Sequence, residues 1–397
     1  MAGTIFWATF ILYYAALILV TRGLTFPIIR DELHYWPTTL RFAHNWPPSS
    51  ALLRNYGELN TPLPFIVFGL IEKIGPGGIR YGRLCNLLLS MLTILIICRP
   101  QADLNRKRAL AALPALLLSP YFMGVSTHLY TDMLAIFLSL CGCLFHAQRH
   151  HLRSLACFIL AISTRQYMAA FPAALFLAEI CQPRTKSFQT GGNWLFPLAA
   201  LTTLPAWYLF FGGFGPAEEI ARQHITTTSL FSLLPRNCNY FLACLGAYFC
   251  LPEIILNRAL DFPSSGFPRS RRTVIAAGLL LGLSFILFPP LRNQNFPFPS
   301  MGFLDRFLRF FCSDLFRLAL LYGLALLATT RFLNINRDFF LVWCNVLLMA
   351  KAHIAWDKYA LPLVVILWFY WVREIPLPPQ TRQPHSPEML KGEGNQP

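Results

Sequence analysis

Long apolar runs separated by short polar connections dominate the chain. They cover 5–20, 84–98, 109–125, 129–146, 155–180, 194–211, 240–256, 274–288, 315–330, 339–350 and 361–372. Runs of this length read as membrane helices, because an apolar helix of roughly 20 residues crosses the hydrocarbon core. The run over 155–180 carries Ser163-Thr164-Arg165-Gln166 in its middle and splits there into two shorter helices. The pattern predicts an all-α polytopic membrane protein with about twelve transmembrane helices. The first run has no basic segment before it and no small-residue cleavage site, and is expected to stay as an anchor.

The stretch 62–74 differs. Thirteen residues rise only about 20 Å as a helix, short of a roughly 30 Å core. It opens with Pro62 and Pro64 and ends in Glu72-Lys73, the pattern of an interfacial helix within a long first loop, 21–83. Beyond Arg373 the residues are polar and rich in Pro and Gly. The expected organisation is therefore one membrane domain, 1–373, with a disordered cytoplasmic tail at 374–397.

Composition sharpens the class. Hydrophobic residues make up 55% of the 397 and charged residues 13%, more apolar surface than a soluble fold of this size could hide. The formal net charge of +15 raises the question of nucleic acid, but the basic residues sit in clusters between apolar runs. Anionic membrane lipid and topology explain them, and no nucleic-acid partner is expected. The 11 Cys are scattered within apolar segments, without zinc or disulfide spacing.

Arg99 with Arg106-Lys107-Arg108, Arg149 with Arg153, Arg184 with Lys186, and Arg258 with Arg269, Arg271 and Arg272 fall on one side of the predicted membrane. Arg331, Arg337, Arg373, Arg382 and Lys391 join them. By the positive-inside rule that side is cytoplasmic. Arg22, which follows the first helix, disagrees and is outvoted. The longer loops 21–83, 212–239, 289–314 and 351–360 then face outward, in a bacterial plasma membrane or the endoplasmic reticulum.

Polar residues on that outer side carry the candidate chemistry. Asp31-Glu32 stand just beyond the first crossing, and a carboxylate at a lipid–water boundary can have its pKa raised toward that of a working general base. Tyr130-Thr131-Asp132 opens a crossing on the same side. Arg165 places a guanidinium inside an apolar run, a costly position that commonly faces a polar cavity or an anion. Lys358, in Trp356-Asp357-Lys358-Tyr359, stands at the outer mouth of the last crossing. Each has a plainer explanation, such as an interfacial belt, a helix-terminal acid or a snorkelling lysine. Four of them on one side, from distant parts of the chain, point to a shared site.

These residues carry a resemblance. A first crossing, an Asp31-Glu32 pair heading a long outer loop, an interfacial helix opened by Pro, and Arg83-Leu84 starting the next crossing resemble the GT-C membrane glycosyltransferases. Asp31-Glu32-Leu33-His34 with Pro37, Tyr130-Thr131-Asp132 and Arg165-Gln166 look like the dolichyl-phosphate-glucose α-1,2-glucosyltransferase family. Lys358-Tyr359-Ala360-Leu361-Pro362 looks more like the protein O-mannosyltransferase and aminoarabinose transferase branch. The likeness covers roughly the first 180 residues, and the remainder only in layout.

The resemblance implies an inverting transfer of a hexose from a polyprenyl- or dolichyl-phosphate carrier to an acceptor hydroxyl of a glycan, lipid or protein, on the extracytoplasmic face. Under it Asp31 is the base, with Glu32 positioning it or standing as second candidate. Arg165 and Lys358, with Arg83 and Arg236 behind them, bind the donor phosphate, and His34, Asp132 and Gln166 contact substrate. No cofactor is expected. A divalent metal on His34 with Asp31-Glu32 is the alternative, for which the sequence offers no third positioned ligand.

Two other readings fit the composition. A transporter or flippase of lipid-linked glycans predicts broken helices in two related halves, and only the break at 163–166 matches. A non-catalytic membrane subunit gives no reason to gather Asp31, Arg165 and Lys358.

Overall fold

The computed structural model describes residues 2–99, 103–181, 193–222, 232–259, 270–291 and 301–373. The expected tail at 374–397 lies outside the described residues, as do Arg184, Lys186, Arg269, Arg382 and Lys391. The described residues are helical without strands, joined by one isolated bridge between Met301 and Ala355.

In chain order the helices are α1 (Ala2–Val20), α2 (Glu32–His44), α3 (Ser50–Arg54), α4 (Leu63–Ile74), α5 (Ile79–Cys98), α6 (Asp103–Leu117), α7 (Pro120–Thr127), α8 (Asp132–Ala147), α9 (His151–Ile162) and α10 (Ala170–Cys181). They continue as α11 (Leu195–Leu201), α12 (Thr203–Phe211), α13 (Ala217–Arg222), α14 (Pro235–Leu245), α15 (Leu251–Ala259), α16 (Arg271–Leu287), α17 (Phe303–Phe311), α18 (Asp314–Arg331), α19 (Arg337–Met349) and α20 (Leu361–Arg373). A π turn, Gly246–Cys250, joins α14 to α15, and 3-10 turns cover Gln166–Ala169 and Asp357–Tyr359.

Among the described residues three helices are long and apolar enough to cross a membrane: Gly3–Val20, Ile79–Cys98 and the continuous Pro235–Ala259. Arg106–Leu117 and Pro120–Thr127 add a fourth if the pair, bent by 72°, is one broken span. The other apolar helices are shorter. The expected single run at 109–125 is thus broken, because Ser119 caps α7 by accepting from Phe122 N (3.4 Å) and Pro120 cannot continue α6. The split of 155–180 into α9 and α10 around Ser163–Gln166 matches the sequence pattern.

The apolar helices differ in what covers them. In the thirteen-residue α20 every residue from Leu361 to Tyr370 is buried, so its apolar surface faces protein. A helix apolar all round is what a bundle centre requires. By contrast α1 and α16 expose Ile11, Leu12, Leu19, Val20, Leu279, Leu280, Ile286 and Leu287. Apolar surface of that extent needs an apolar surrounding.

The polar connections gather at one end of the bundle. Leu63 N donates to Ser163 O (3.1 Å) and Leu234 N to Ala350 O (2.7 Å), and Gln166 Nε2 bonds Leu59 O (2.7 Å) and Phe214 O (3.4 Å). At the other end Arg108 Nη1 reaches Trp371 O (3.2 Å), Arg373 Nη2 reaches Ile96 O (3.0 Å), and Arg331 pairs with Glu253 at 2.7 Å. Loop 21–83 holds two helices besides the expected interfacial one, with α2 packed on α4. A Cβ at Gly69 would stand 2.8 Å from that of Phe42, so the close crossing of α2 and α4 needs glycine there.

Candidate active site

Asp31 immediately precedes α2. Arg30 before it adopts a φ of +55°, a left-handed conformation that costs a non-glycine residue roughly 1 kcal/mol, and such strain concentrates at functional positions. From the far end of the chain, the 3-10 turn ahead of α20 brings Lys358 Nζ to 2.6 Å from Asp31 Oδ2. Burial raises the Asp31 carboxyl, but the Lys358 ammonium, with Arg165 and His34 behind it, holds it below the ordinary aspartate value. Burial likewise opposes the Lys358 charge, and Asp31 and Asp132 more than offset it, raising that pKa. Asp31 is therefore ionised, not a base poised by desolvation as the sequence suggested. Its side chain remains 24% exposed.

The turn carrying Lys358 is pinned from behind. Asp357 accepts from Tyr240 OH (2.6 Å), Tyr248 OH (2.6 Å) and Leu304 N (2.7 Å). A side chain at Gly302 would collide with Asp357, so glycine lets the 301–311 segment close on this turn. The ammonium is ringed by Trp356, Tyr130 and Tyr359 at 4.5, 5.7 and 5.9 Å. Such contacts favour a cation where water is scarce.

Beside this pair stands a second one. Arg165, in the extended link between α9 and the turn Gln166–Ala169, places Nη2 at 2.7 Å from Asp132 Oδ2 at the start of α8. Tyr167 OH donates to the other Asp132 oxygen at 3.1 Å, and Arg165 Nη2 lies 3.4 Å from Tyr35 OH. Asn60 Nδ2 bonds Tyr35 OH (3.1 Å) and Thr131 Oγ1 (3.3 Å), tying α2 to the α8 start. Arg165 Nε is buried without a hydrogen-bond partner. An unfilled guanidinium donor in a buried position is a place for an anion.

Glu32 and Arg83 have a different place from the one the sequence suggested. Both are fully buried and face each other, Arg83 Nε to Glu32 Oε1 at 2.8 Å and Nη2 to Oε2 at 2.7 Å. The rest of the guanidinium bonds Leu24 O (3.0 Å), Phe26 O (2.7 Å) and Pro27 O (3.2 Å), and the Phe26 ring lies 3.8 Å away. All five N–H groups of Arg83 are occupied, so none is left for a donor phosphate. Glu32 Oε1 also accepts Leu129 N at 2.7 Å, which leaves it unsuited to deprotonate a substrate. The pair is a knot joining the start of loop 21–83, α5 and the segment leading to Tyr130 and Asp132. Asn86 reinforces it, bonding His128 O (2.7 Å) and Tyr130 O (2.8 Å).

The remaining sequence candidates divide. Gln166 spends its amide donors on Leu59 and Phe214, and so positions the loops around the site. His34 is exposed on α2. Arg236, near the start of α14, is half-buried, and no ion pair joins it to this cluster among the described residues. Among the described residues no three His, Cys, Asp or Glu side chains are grouped as metal ligands.

Glu58 is the carboxyl that sequence reasoning missed. It is 5% exposed and within electrostatic reach of Asp31 and Arg165, with Oε1 buried and unpartnered. Burial and the neighbouring Glu219 push its pKa up to about 8. The site thus combines an ionised carboxylate, a carboxyl that keeps its proton at neutral pH, and two cations among tyrosines. Such a set can take a proton from a hydroxyl and stabilise an anionic leaving group. Comparison with family models, curated proteins and solved structures found no match to this chain.

Proposed function

We propose that the chain is an inverting membrane glycosyltransferase that moves a hexose from a polyprenyl- or dolichyl-phosphate carrier to an acceptor hydroxyl on the extracytoplasmic face. The observation that carries the reading is the Asp31–Lys358 pair, 2.6 Å apart, beside a buried Arg165 whose Nε has no partner. In this reading the shorter apolar helices cross within the bundle and complete about twelve spans. The end rich in Arg108, Arg331, Arg337 and Arg373 faces the cytoplasm.

The chemistry follows from the charges. Donor phosphate entering beside Arg165 draws Lys358 away from Asp31. Losing its ammonium partner, the Asp31 carboxylate becomes more basic just when an acceptor must be deprotonated. The acceptor oxygen attacks the anomeric carbon from the face opposite phosphate, and Asp31 takes the hydroxyl proton. The anomeric carbon–oxygen bond breaks, and its electron pair leaves on the phosphate oxygen. Polyprenyl phosphate thereby gains negative charge, which Arg165 and Lys358 stabilise in a poorly hydrated surround.

The test uses the full chain in lipid nanodiscs with a panel of polyprenyl-phosphate hexoses and glycan acceptors. Wild-type protein transfers hexose from at least one donor. Asp31→Asn lowers turnover by roughly 10²- to 10⁴-fold, the usual contribution of a general base. Full turnover by Asp31→Asn, or none by wild type with any donor, overturns the reading.

A further inference from the structure

A second cluster adjoins the site within electrostatic reach of Asp31 and Arg165. The loop 55–60 passes beside α13, and a Cβ on Gly57 would lie 3.5 Å from Arg41 Nη1 and 4.0 Å from both Glu219 Oε1 and Thr38 Oγ1. With a φ of +90°, Gly57 makes the turn that sets Glu58 beside Glu219. Glu219 is held by Arg222, Nε to Oε2 at 2.9 Å and Nη2 to Oε2 at 2.6 Å. Glu58 Oε1 is buried without a partner, whereas the Arg222 side chain is 48% exposed. The cluster therefore runs from solvent at Arg222, past Glu58, to Asp31 and Arg165.

A buried carboxyl oxygen left without a hydrogen bond is costly, and a ligand that supplies the bond recovers that cost. Two neighbouring carboxyls, with the Arg222 guanidinium already engaged by Glu219, make a poor seat for phosphate. An apolar chain would leave the oxygen unsatisfied. A protonated carboxyl donates one hydrogen bond and accepts another, which matches the donor and acceptor faces of a sugar hydroxyl.

We infer that Glu58, with Glu219 and Arg222, forms the acceptor side of the site and takes a neutral, polyhydroxylated carbohydrate. The inference rests on the sugar-transfer reading for the reaction, but it is testable by binding alone. Saturation-transfer NMR on the full chain in nanodiscs is run with neutral gluco-, manno- and galacto-configured trisaccharides as probes. At least one binds wild type. Glu58→Met, similar in length but without a hydrogen-bonding oxygen, does not lower the thermal midpoint and weakens binding about tenfold. Glu58→Gln, whose neutral amide keeps a donor and an acceptor, retains most of the binding. Equal binding by Glu58→Met, or no binding of any neutral trisaccharide to wild type, overturns the inference. Glu58-dependent binding without turnover by wild type supports the subsite and counts against the sugar-transfer reading alone.

Discussion

Replacing Glu32 by Gln separates a structural acid from a catalytic one. The substitution keeps shape and removes charge. Gln retains one carbonyl oxygen, but its NH2 meets Arg83 or Leu129 N–H, donor against donor, where Glu32 now accepts bonds of 2.7–2.8 Å. The Arg83 guanidinium stays fully buried, bonded to neutral carbonyls such as those of Leu24, Phe26 and Pro27, with no counter-charge. Breaking one partner of such a pair costs about 3–5 kcal/mol. For a chain of this length that is a fall in thermal midpoint of roughly 5–10 °C. Differential scanning fluorimetry in detergent reads the fall, and turnover per folded molecule is measured well below the midpoint. The expected result is a lower midpoint with turnover within about threefold of wild type, since catalysis by a base would be worth at least about a hundredfold. Joint replacement, Glu32→Leu with Arg83→Met, recovers part of the midpoint because no unpaired charge remains. An unchanged midpoint with collapsed turnover refutes the reasoning and returns Glu32 to the reacting atoms.

Three further outcomes are expected. Arg165→Lys loses the planar fork and the unfilled Nε donor, and turnover falls roughly 10²-fold in the nanodisc assay; a mild effect would show that a point charge suffices. Glu58 keeps a proton in the folded state up to about pH 8 that it loses near its ordinary 4.5 when unfolded. Stability therefore declines as pH rises from about 4.5 to about 8. The wild-type midpoint drops by roughly 5–10 °C over that window relative to Glu58→Gln, and parallel pH curves would contradict the assignment. Arg54→Cys is labelled by an impermeant thiol reagent from outside and Lys107→Cys from the cytoplasm, both positions being exposed; reversed labelling overturns the orientation.

The convergence of Asp31, Arg165 and Lys358 was legible because each is a charge that hydropathy makes conspicuous, and alternation of loops places all three on one side. The division of labour between Asp31 and Glu32 was not. Adjacent acids look alike in sequence, and what separates them is that Arg83, 51 residues away, points at one and Lys358 at the other. Glu58 carried no signal, because a single acid in Asn55-Tyr56-Gly57-Glu58-Leu59-Asn60 reads as a solvated loop until α13 closes over it. Pro120 could have announced the break between α6 and α7, but the apolar residues around it masked it. Which apolar helices face protein was not legible either, because a core helix such as α20 and an outward-facing one such as α16 have the same composition, and only burial distinguishes them.

Native mass spectrometry of the full chain extracted from membranes tests the central claim most directly, because it asks what occupies the cations. The account predicts a bound polyprenyl or dolichyl phosphate on wild-type protein, displaced by added polyprenyl-phosphate hexose and lost from the Arg165→Met variant. Absence of any prenyl phosphate from wild type, or its undiminished retention when Arg165 is removed, would contradict it.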